Sequence, residues 1–321
     1  MIAIHCQEPG DSTNRVNTSI PRILLLSSLL LFSGCASGRI LYWFDPPYWS
    51  TLGGDIILQA RLDGFALAHG KLPTFVLTRP GPDPHGAITK ALSTGRFGTV
   101  VVGPLLSLDS QQLALNHPRV RFILVHAAPT VAATTKNVTV LSFDRRDAFR
   151  RAGTVAALVA AEQPSVGTQA SSSVCILTNE GSDLSSAELD AFRDGASSTS
   201  PPGAPVTHVI TGSSDSTAVQ AAVAALRKSG VQVFLLSLGV ANPIALDALK
   251  SAGGIAVVAD WARAGLDAAQ VLLSVETEET DGLMSAIAAK DGGLVNGKVR
   301  LVLGDARPIP AAARPLLDAQ R

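Results

Sequence analysis

The run Thr99-Val100-Val101-Val102-Gly103-Pro104-Leu105-Leu106, then helical periodicity after Asp109, then Arg121-Phe122-Ile123-Leu124-Val125, decides the fold of this chain. Two short apolar stretches rich in β-branched residues, with a Gly-Pro turn and a helix between them, read as a βαβ unit. Strands apolar on both faces suit a parallel sheet covered by helices on each side.

Working outward, the same rhythm continues in both directions. Upstream, Ile40–Phe44 reads as a buried strand ending in Asp45, and Ile56, Ile57, Ala60, Gly64, Leu67 and Ala68 recur at helical spacing until Gly70. A strand at Thr74–Leu77 and a helix near Gly86–Ser93 follow, and Val138–Phe143 completes the first set. A second set opens with a helix that Asp144 can cap, its apolar face being Phe149, Ala152, Gly153, Ala156 and Val159. Next come strand Val174–Leu177 and a helix announced by the capping-box pair Ser185 and Glu188, with Leu189, Phe192 and Ala196 on one face. Strand His208–Thr211, helix Thr217–Lys228, strand Gln232–Leu236, a helix after Pro243 and strand Ile255–Ala259 continue it. Ala262–Lys290 reads as an acidic helical segment, and Val299–Leu303 as a last strand. The expectation is an α/β protein of two lobes, residues 39–143 and 144–260, each a parallel sheet flanked by helices. Residues 262–297 are expected to return to lobe one and 298–321 to lobe two.

Composition supports this. The 321 residues are 46% hydrophobic but only 5% aromatic, so the core is built from Ala, Val and Leu. Lys and Arg number 26 and Asp and Glu 26, and no basic stripe runs along the sequence, which argues against nucleic-acid binding.

The beginning of the chain points to the membrane. Arg22 precedes the apolar run Ile23–Phe32, too short to span a bilayer but with the length and flanks of a secretory h-region. Ser33-Gly34-Cys35-Ala36-Ser37 follows, and a thiol directly after Ser-Gly resembles a bacterial lipobox, although Phe32 stands where Leu is usual. The resemblance implies a signal peptide over 1–34, a lipidated linker over 35–38 and a mature chain anchored at Cys35 to the cell membrane, facing the periplasm or the exterior. The plainer reading is a secreted protein with an incidental cysteine. Glu8 and Asp11 do not suit a basic leader, and translation is expected to start downstream, near Val16. Cys6 would leave with the signal, and Cys175, inside Val174-Cys175-Ile176-Leu177, reads as a core residue.

In open parallel sheets ligands sit outside the carboxyl ends of the strands. Those ends carry Asp45-Pro46-Pro47-Tyr48-Trp49-Ser50, then Gly103–Asp109 with Leu106, then Asn179–Asp183, Gly239-Val240-Ala241-Asn242, and Asp260-Trp261. Aromatic faces stack on flat rings and carboxylates accept hydrogen bonds from hydroxyls or amines. Each has a structural alternative: Asp45 suits a plain strand end, Asp109 and Asp183 suit helix caps, and His126 suits a satisfied strand end. Lys298 reads as a solvated hairpin lysine. No G-x-S-x-G elbow, H-E-x-x-H or paired cysteines occur, and His69, His85, His117, His126 and His208 lack metal-ligand spacing. Neither an enzyme nor a cofactor is expected.

With the order of elements set out, the chain resembles a type I periplasmic binding protein. More narrowly it is similar to the basic-membrane-protein family of substrate-binding lipoproteins, which includes purine nucleoside receptors of ABC transporters. The likeness rests on Val100–Leu106 with His117–Val125, on Asn137-Val138, Ser142-Phe143 and Phe149–Gly153, on Glu188–Gly195 with its F-x-x-G pattern, and on Ile255–Asp260. The family's D-D-x-S-F-N-like first loop is replaced here by Asp45-Pro46-Pro47-Tyr48-Trp49, which leaves nucleoside specificity open. What the resemblance implies is capture of a nucleoside-like or sugar-like solute in an interlobe cleft for an ABC permease. It implies stacking by Tyr48 or Trp49, hydrogen bonds to Asp45, Asp183 and Asp260, and contacts from Leu106, Gly239 and Trp261. The competing expectation is an anchored sensor or structural lipoprotein of the same fold, with Tyr48 and Trp49 as protein-contact anchors.

Overall fold

The computed structural model describes residues 38–52, 56–78, 86–107, 110–127, 129–162, 173–180, 182, 184–199, 205–211, 215–260, 268–289 and 292–318. The expected signal peptide, Cys6 and Cys35 lie outside the described residues.

Among the described residues twelve strands form two six-stranded sheets. In chain order they are β1 (Arg39–Phe44), β2 (Leu72–Leu77), β3 (Thr99–Val102), β4 (Arg121–Val125), β5 (Val138–Ser142), β6 (Val174–Asn179), β7 (Val206–Ile210), β8 (Val233–Ser237), β9 (Ile255–Ala259), β10 (Val271–Thr277), β11 (Gly293–Asn296) and β12 (Val299–Leu303). The first sheet has the order β11-β5-β4-β3-β1-β2 and is parallel throughout. The second has the order β12-β10-β9-β8-β6-β7, parallel except for β12, which runs antiparallel to β10. The α/β reading therefore holds, and the two sheets repeat one wiring diagram.

The sheets belong to separate compact units, one containing the chain up to Ser142 plus Thr280–Asn296, the other Phe143–Glu279 plus the chain from Gly297. The expected course of the tail needs correction. Val271–Thr277 is not helical but a strand, wholly buried between β9 and β12, so this stretch belongs to the second unit. Among the described residues of this stretch, Ala268–Gln270 forms a 3-10 turn and Glu279–Ala288 an α-helix, which is followed by the short strand β11 in the first sheet. The acids that suggested a helix, Glu276 and Glu279, are themselves buried; Ser274 Oγ donates to Glu276 Oε1.

In the first unit, Leu41, Trp43, Val100, Val102, Phe122, Leu124, Val138 and Val140 point to one face of their sheet and meet Ile88, Leu92 and Leu113 from its helices. Arg121, opening β4, fastens another helix to this sheet. Its guanidinium donates to the Ala286 carbonyl at 2.7 Å, to the Ala289 carbonyl and to Thr139 Oγ1, closing the carboxyl end of Glu279–Ala288. In the second unit, helix Arg146–Ala161 lays Phe149, Ala152, Val155, Ala156 and Val159 on β6, β8 and β10, the face expected from the sequence. Its cap differs, because the N-cap position is Arg145 and the Asp144 carboxylate instead holds the Arg146 side chain at 2.6 and 2.8 Å. The Ser185–Glu188 capping box forms as expected. Among the described residues no helix is long and apolar enough to cross a membrane.

Cys175 lies in β6, fully buried, and burial pushes its thiol up to about 12. Thiolate is the reactive form. A disulfide reagent is therefore expected to leave Cys175 unlabelled in the native protein and to modify it at the rate of unfolding; rapid native labelling of this residue, located by peptide mapping, is the contrary result.

Candidate functional site

In the first unit the carboxyl ends of β1 and β3 bring Asp45 and Gly103 together. Asp45 Oδ1 accepts the Tyr48 N–H at 2.8 Å, which organises the first turn of helix Pro46–Thr51. The side chain is fully buried, and Oδ2 has no hydrogen-bond partner among the described residues. The Gly103 N–H donates to the Trp43 carbonyl at 2.9 Å, which pins the turn after β3. A Cβ at 103 would stand 3.2 Å from Asp45 Oδ2 and 3.1 Å from Tyr48 Cδ1, so glycine lets that turn close against the carboxylate.

The two expected stacking residues are part of an aromatic cluster. Tyr48, buried, meets Phe44 edge-on at 5.3 Å between centroids. Trp49 is half-buried, stacked nearly parallel to Phe44 at 6.0 Å between centroids and tilted against Phe75 at 5.3 Å. Leu106 ends the short 3-10 turn Pro104–Leu106 and lies in the core with Trp43 and Leu113.

The second unit repeats the arrangement with neutral groups. Asn179, the last residue of β6, donates from Nδ2 to the Leu238 carbonyl at 3.3 Å, and the Leu238 N–H donates to Asn242 Oδ1 at 2.9 Å. Ser182 Oγ and Ser237 Oγ are 2.6 Å apart. Gly239, at φ +56°, starts a 3-10 turn in the place that Pro104–Leu106 occupies in the first unit.

One correspondence is closer still. His126 and Asp260 are the two described non-glycine residues with positive φ, 56° and 50°. Each is the first residue after the fourth strand of its sheet, and each donates its N–H to the fifth strand, at 2.8 Å to the Leu141 carbonyl and 3.0 Å to the Val275 carbonyl. A left-handed residue turns the chain sharply there and sets a polar side chain at the sheet edge.

Asp260 is held from both sides. Oδ1 accepts from the Thr277 N–H at 2.9 Å and from its hydroxyl at 3.0 Å, while Oδ2 pairs with Arg145 at 3.2 Å. Arg145 also donates to Glu188 Oε1 at 2.6 Å and lies 5.6 Å over the Phe149 ring. Burial pushes the Glu188 carboxyl up, but the hydrogen bond and charge of Arg145, with the bonds from Ser185, outweigh it and hold the group below its ordinary value. Arg145 and Ser237 were not singled out by the sequence, Asn242 only as the end of the segment Gly239–Asn242, and Glu188 as a cap and the start of the F-x-x-G helix. No local pattern marks Arg145, because its partners lie far along the chain. Asp183, Trp261 and Asp109 lie outside the described residues.

At each carboxyl edge the polar groups are carboxylates, amides and hydroxyls, joined by His126 in the first unit and the Arg145 guanidinium in the second, and they are suited to holding polar groups by hydrogen bonds. Among the described residues no three His, Cys, Asp or Glu are grouped to hold a metal ion.

No family model matches the chain, and no curated protein matches it. Solved structures do. An ABC transporter solute-binding protein of Conexibacter woesei aligns with a TM-score of 0.62 and 16% identity, over 88% of this chain and 94% of the other. The Caulobacter myo-inositol binding protein aligns at 0.55 and 19% identity, over 84% and 94%. A transcriptional repressor of Escherichia coli aligns at 0.54 and 11% identity, over 84% and 99%. At these identities the likeness is one of fold: the chain has the α/β periplasmic-binding-protein-like fold that solute-binding proteins and such regulators share.

Proposed function

We propose that the chain is a substrate-binding protein of an ABC-type importer. It takes up a small neutral or cationic solute, sugar-like or nucleoside-like, through the carboxyl edges of its sheets. The observation that carries this reading is Asp45: a fully buried carboxylate whose Oδ2 has no partner among the described residues, at the strand end where this fold class binds ligands. A buried acceptor left unmade is costly, and a ligand hydroxyl or amine satisfies it. Trp49, half-buried beside it, offers a ring to a flat or apolar ligand face. The solved solute-binding proteins of the same fold support the class, and the inositol binder supports a polyhydroxylated ligand. Cys35 is proposed to carry the lipid that keeps the protein beside its permease; incorporation of labelled palmitate, lost in Cys35→Ser, tests that part separately.

The test is thermal stabilisation by a panel of sugars, polyols, nucleosides and amino acids. A solute present at a hundred times its Kd adds about 2.7 kcal/mol of stability. Asp45→Asn keeps the acceptor for the Tyr48 N–H and is expected to weaken binding about tenfold, one charged hydrogen bond's worth. Stabilisation that is unaltered in Asp45→Asn contradicts the assignment of Asp45. The likeness to a repressor favours one alternative, an anchored sensor that binds a solute without passing it on. Solute uptake by cells lacking the gene separates the two, since only the importer reading predicts its loss.

A further inference from the structure

All six strands of the first sheet run parallel, so their amino ends share one edge. Each turn entering β2, β3, β4 and β5 brings one basic residue to it: Lys71, Arg96, Arg119 and Lys136. Arg39 opens β1 at the same edge, and Lys90 stands in the last turn of helix Gly86–Ser93, which runs down to it. Residues 69–71, 94–98, 117–120 and 135–137 contain no Asp or Glu. Arg39, Lys90, Arg96, Arg119 and Lys136 are exposed, and none forms an ion pair among the described residues. Lys71 is half-buried and donates to Thr99 Oγ1 at 3.0 Å; burial first, and the nearby Arg121 charge second, lower its pKa. Large apolar side chains stand among them: Leu67 is 54% exposed, Leu72 43% and Leu115 53%.

Helix carboxyl ends favour cations, but that effect does not explain the pattern. Two second-unit helices carry their cations within their last turns, as Arg227, Lys228 and Lys250, and the turns that follow, 229–232 and 253–254, hold no charged residue, whereas at the first sheet four of the cations stand in the turns themselves. We propose that the amino edge of the first sheet is a docking face for a bilayer rich in anionic lipid, its cations meeting headgroup phosphates and its leucines entering the interface. Charge complementarity and exposed leucines among arginines favour lipid over nucleic acid, which offers the leucines nothing. Position favours it too. Gly38 enters the structure at this edge, and Cys35, three residues earlier, lies within about 11 Å of it along even a fully extended chain. The inference rests on the membrane-side placement proposed above, and it specifies which surface faces the lipid.

The test uses the full chain as Cys35→Ser, so that no acyl group contributes. The probes are vesicles of phosphatidylcholine alone or mixed with an equal amount of phosphatidylglycerol. Any apolar contribution of Ile23–Phe32 is common to both, and the difference reads the charged face. Binding is expected to be stronger on the mixed vesicles and to fall with added salt. The combination Arg96→Gln, Arg119→Gln and Lys136→Gln is expected to lower it on the order of a hundredfold, and Arg119→Gln alone about fivefold. Lys228→Gln with Lys250→Gln, in the second unit, is expected to change nothing, and melting curves verify that each variant folds. Equal binding to both vesicles, or a triple variant indistinguishable from the parent, overturns the proposal. So does charge-dependent binding to duplex DNA without vesicle binding. Palmitate labelling and solute binding are read independently, so failure here leaves those proposals standing.

Discussion

Replacing Gly195 with alanine is expected to destabilise the second unit by about 3 kcal/mol or more, one of the largest single-residue effects in the chain. The reason is backbone against backbone. Helices Arg146–Ala161 and Ser186–Ser197 cross with Gly153 and Gly195 at the point of closest approach. A Cβ at 195 would overlap the Arg150 carbonyl, and one at 153 the Phe192 carbonyl. Thr154 Oγ1 donates to the Gly195 carbonyl at 3.1 Å, which bonds the helices where they touch. A carbonyl cannot rotate away as a side-chain end can, so the helices must separate, and Phe149, Ala152, Phe192 and Ala196 lose their packing together. Chemical denaturation should show a lower midpoint for Gly195→Ala and for Gly153→Ala. Alanine at an open, exposed position such as Gly64 should be neutral or slightly stabilising, because nothing lies within 4 Å of its Cβ and helix propensity improves. Near-equal midpoints for all three would show that the helices do not meet there.

The second large effect is expected at Arg145. Its side chain is only 16% exposed and joins Glu188, 11% exposed, to Asp260. Arg145→Met keeps most of the volume but strands two carboxylates in a poorly hydrated place, a loss of about 3 kcal/mol. Adding Glu188→Gln and Asp260→Asn removes those charges and should recover much of the loss; asparagine also tolerates the left-handed backbone at 260. The pH dependence has a definite sign. Folding holds the Glu188 carboxyl below its ordinary value of 4.5, so the unfolded chain binds that proton more readily. This stabilisation is complete above about pH 4.5 and fades as the pH falls through the lowered value. Arg145→Met should therefore flatten the acid limb of the stability curve. An unchanged acid limb in the variant would mean that the pair does not couple to folding.

How far the sequence could be read follows from what each residue does. Runs such as Val100–Val102, Phe122–Val125 and Phe234–Leu236 are buried on both faces, so hydrophobicity alone marks them as strands. Gly153 was legible as part of an apolar helix face and Gly195 as part of an F-x-x-G pattern, but their backbone-to-backbone approach was not, because it depends on how the two helices cross. β10 was misread because its end, Ser274-Val275-Glu276-Thr277, merges with Glu278 and Glu279 into what looks like an acidic helix. Pairing on both sides makes a strand of it: Ser274 and Val275 lie opposite Val258 and Ala259 on β9, and Glu276 lies opposite Arg300 on β12, formed late in the chain. At the candidate site, Asp45 and Asp260 stand out in the sequence because strand ends are where polar residues interrupt apolar runs, and Trp49 because it follows such an end. Arg145 was not, since its role comes from partners 43 and 115 residues away. The basic edge was invisible for the same reason: its cations are dealt one to a turn and meet only when the strands align. A sequence without a basic stripe still folds to a basic face.

The central claim, that the carboxyl edge around Asp45 takes up one small donor-bearing solute, is tested most directly by titration calorimetry of the full chain. The ligands to titrate are those that raise its melting temperature. Saturable binding of one solute per chain, weakened about tenfold by Asp45→Asn with the fold intact, is the predicted result. No heat of binding for any sugar, polyol, nucleoside or amine, or binding indifferent to Asp45, would contradict it.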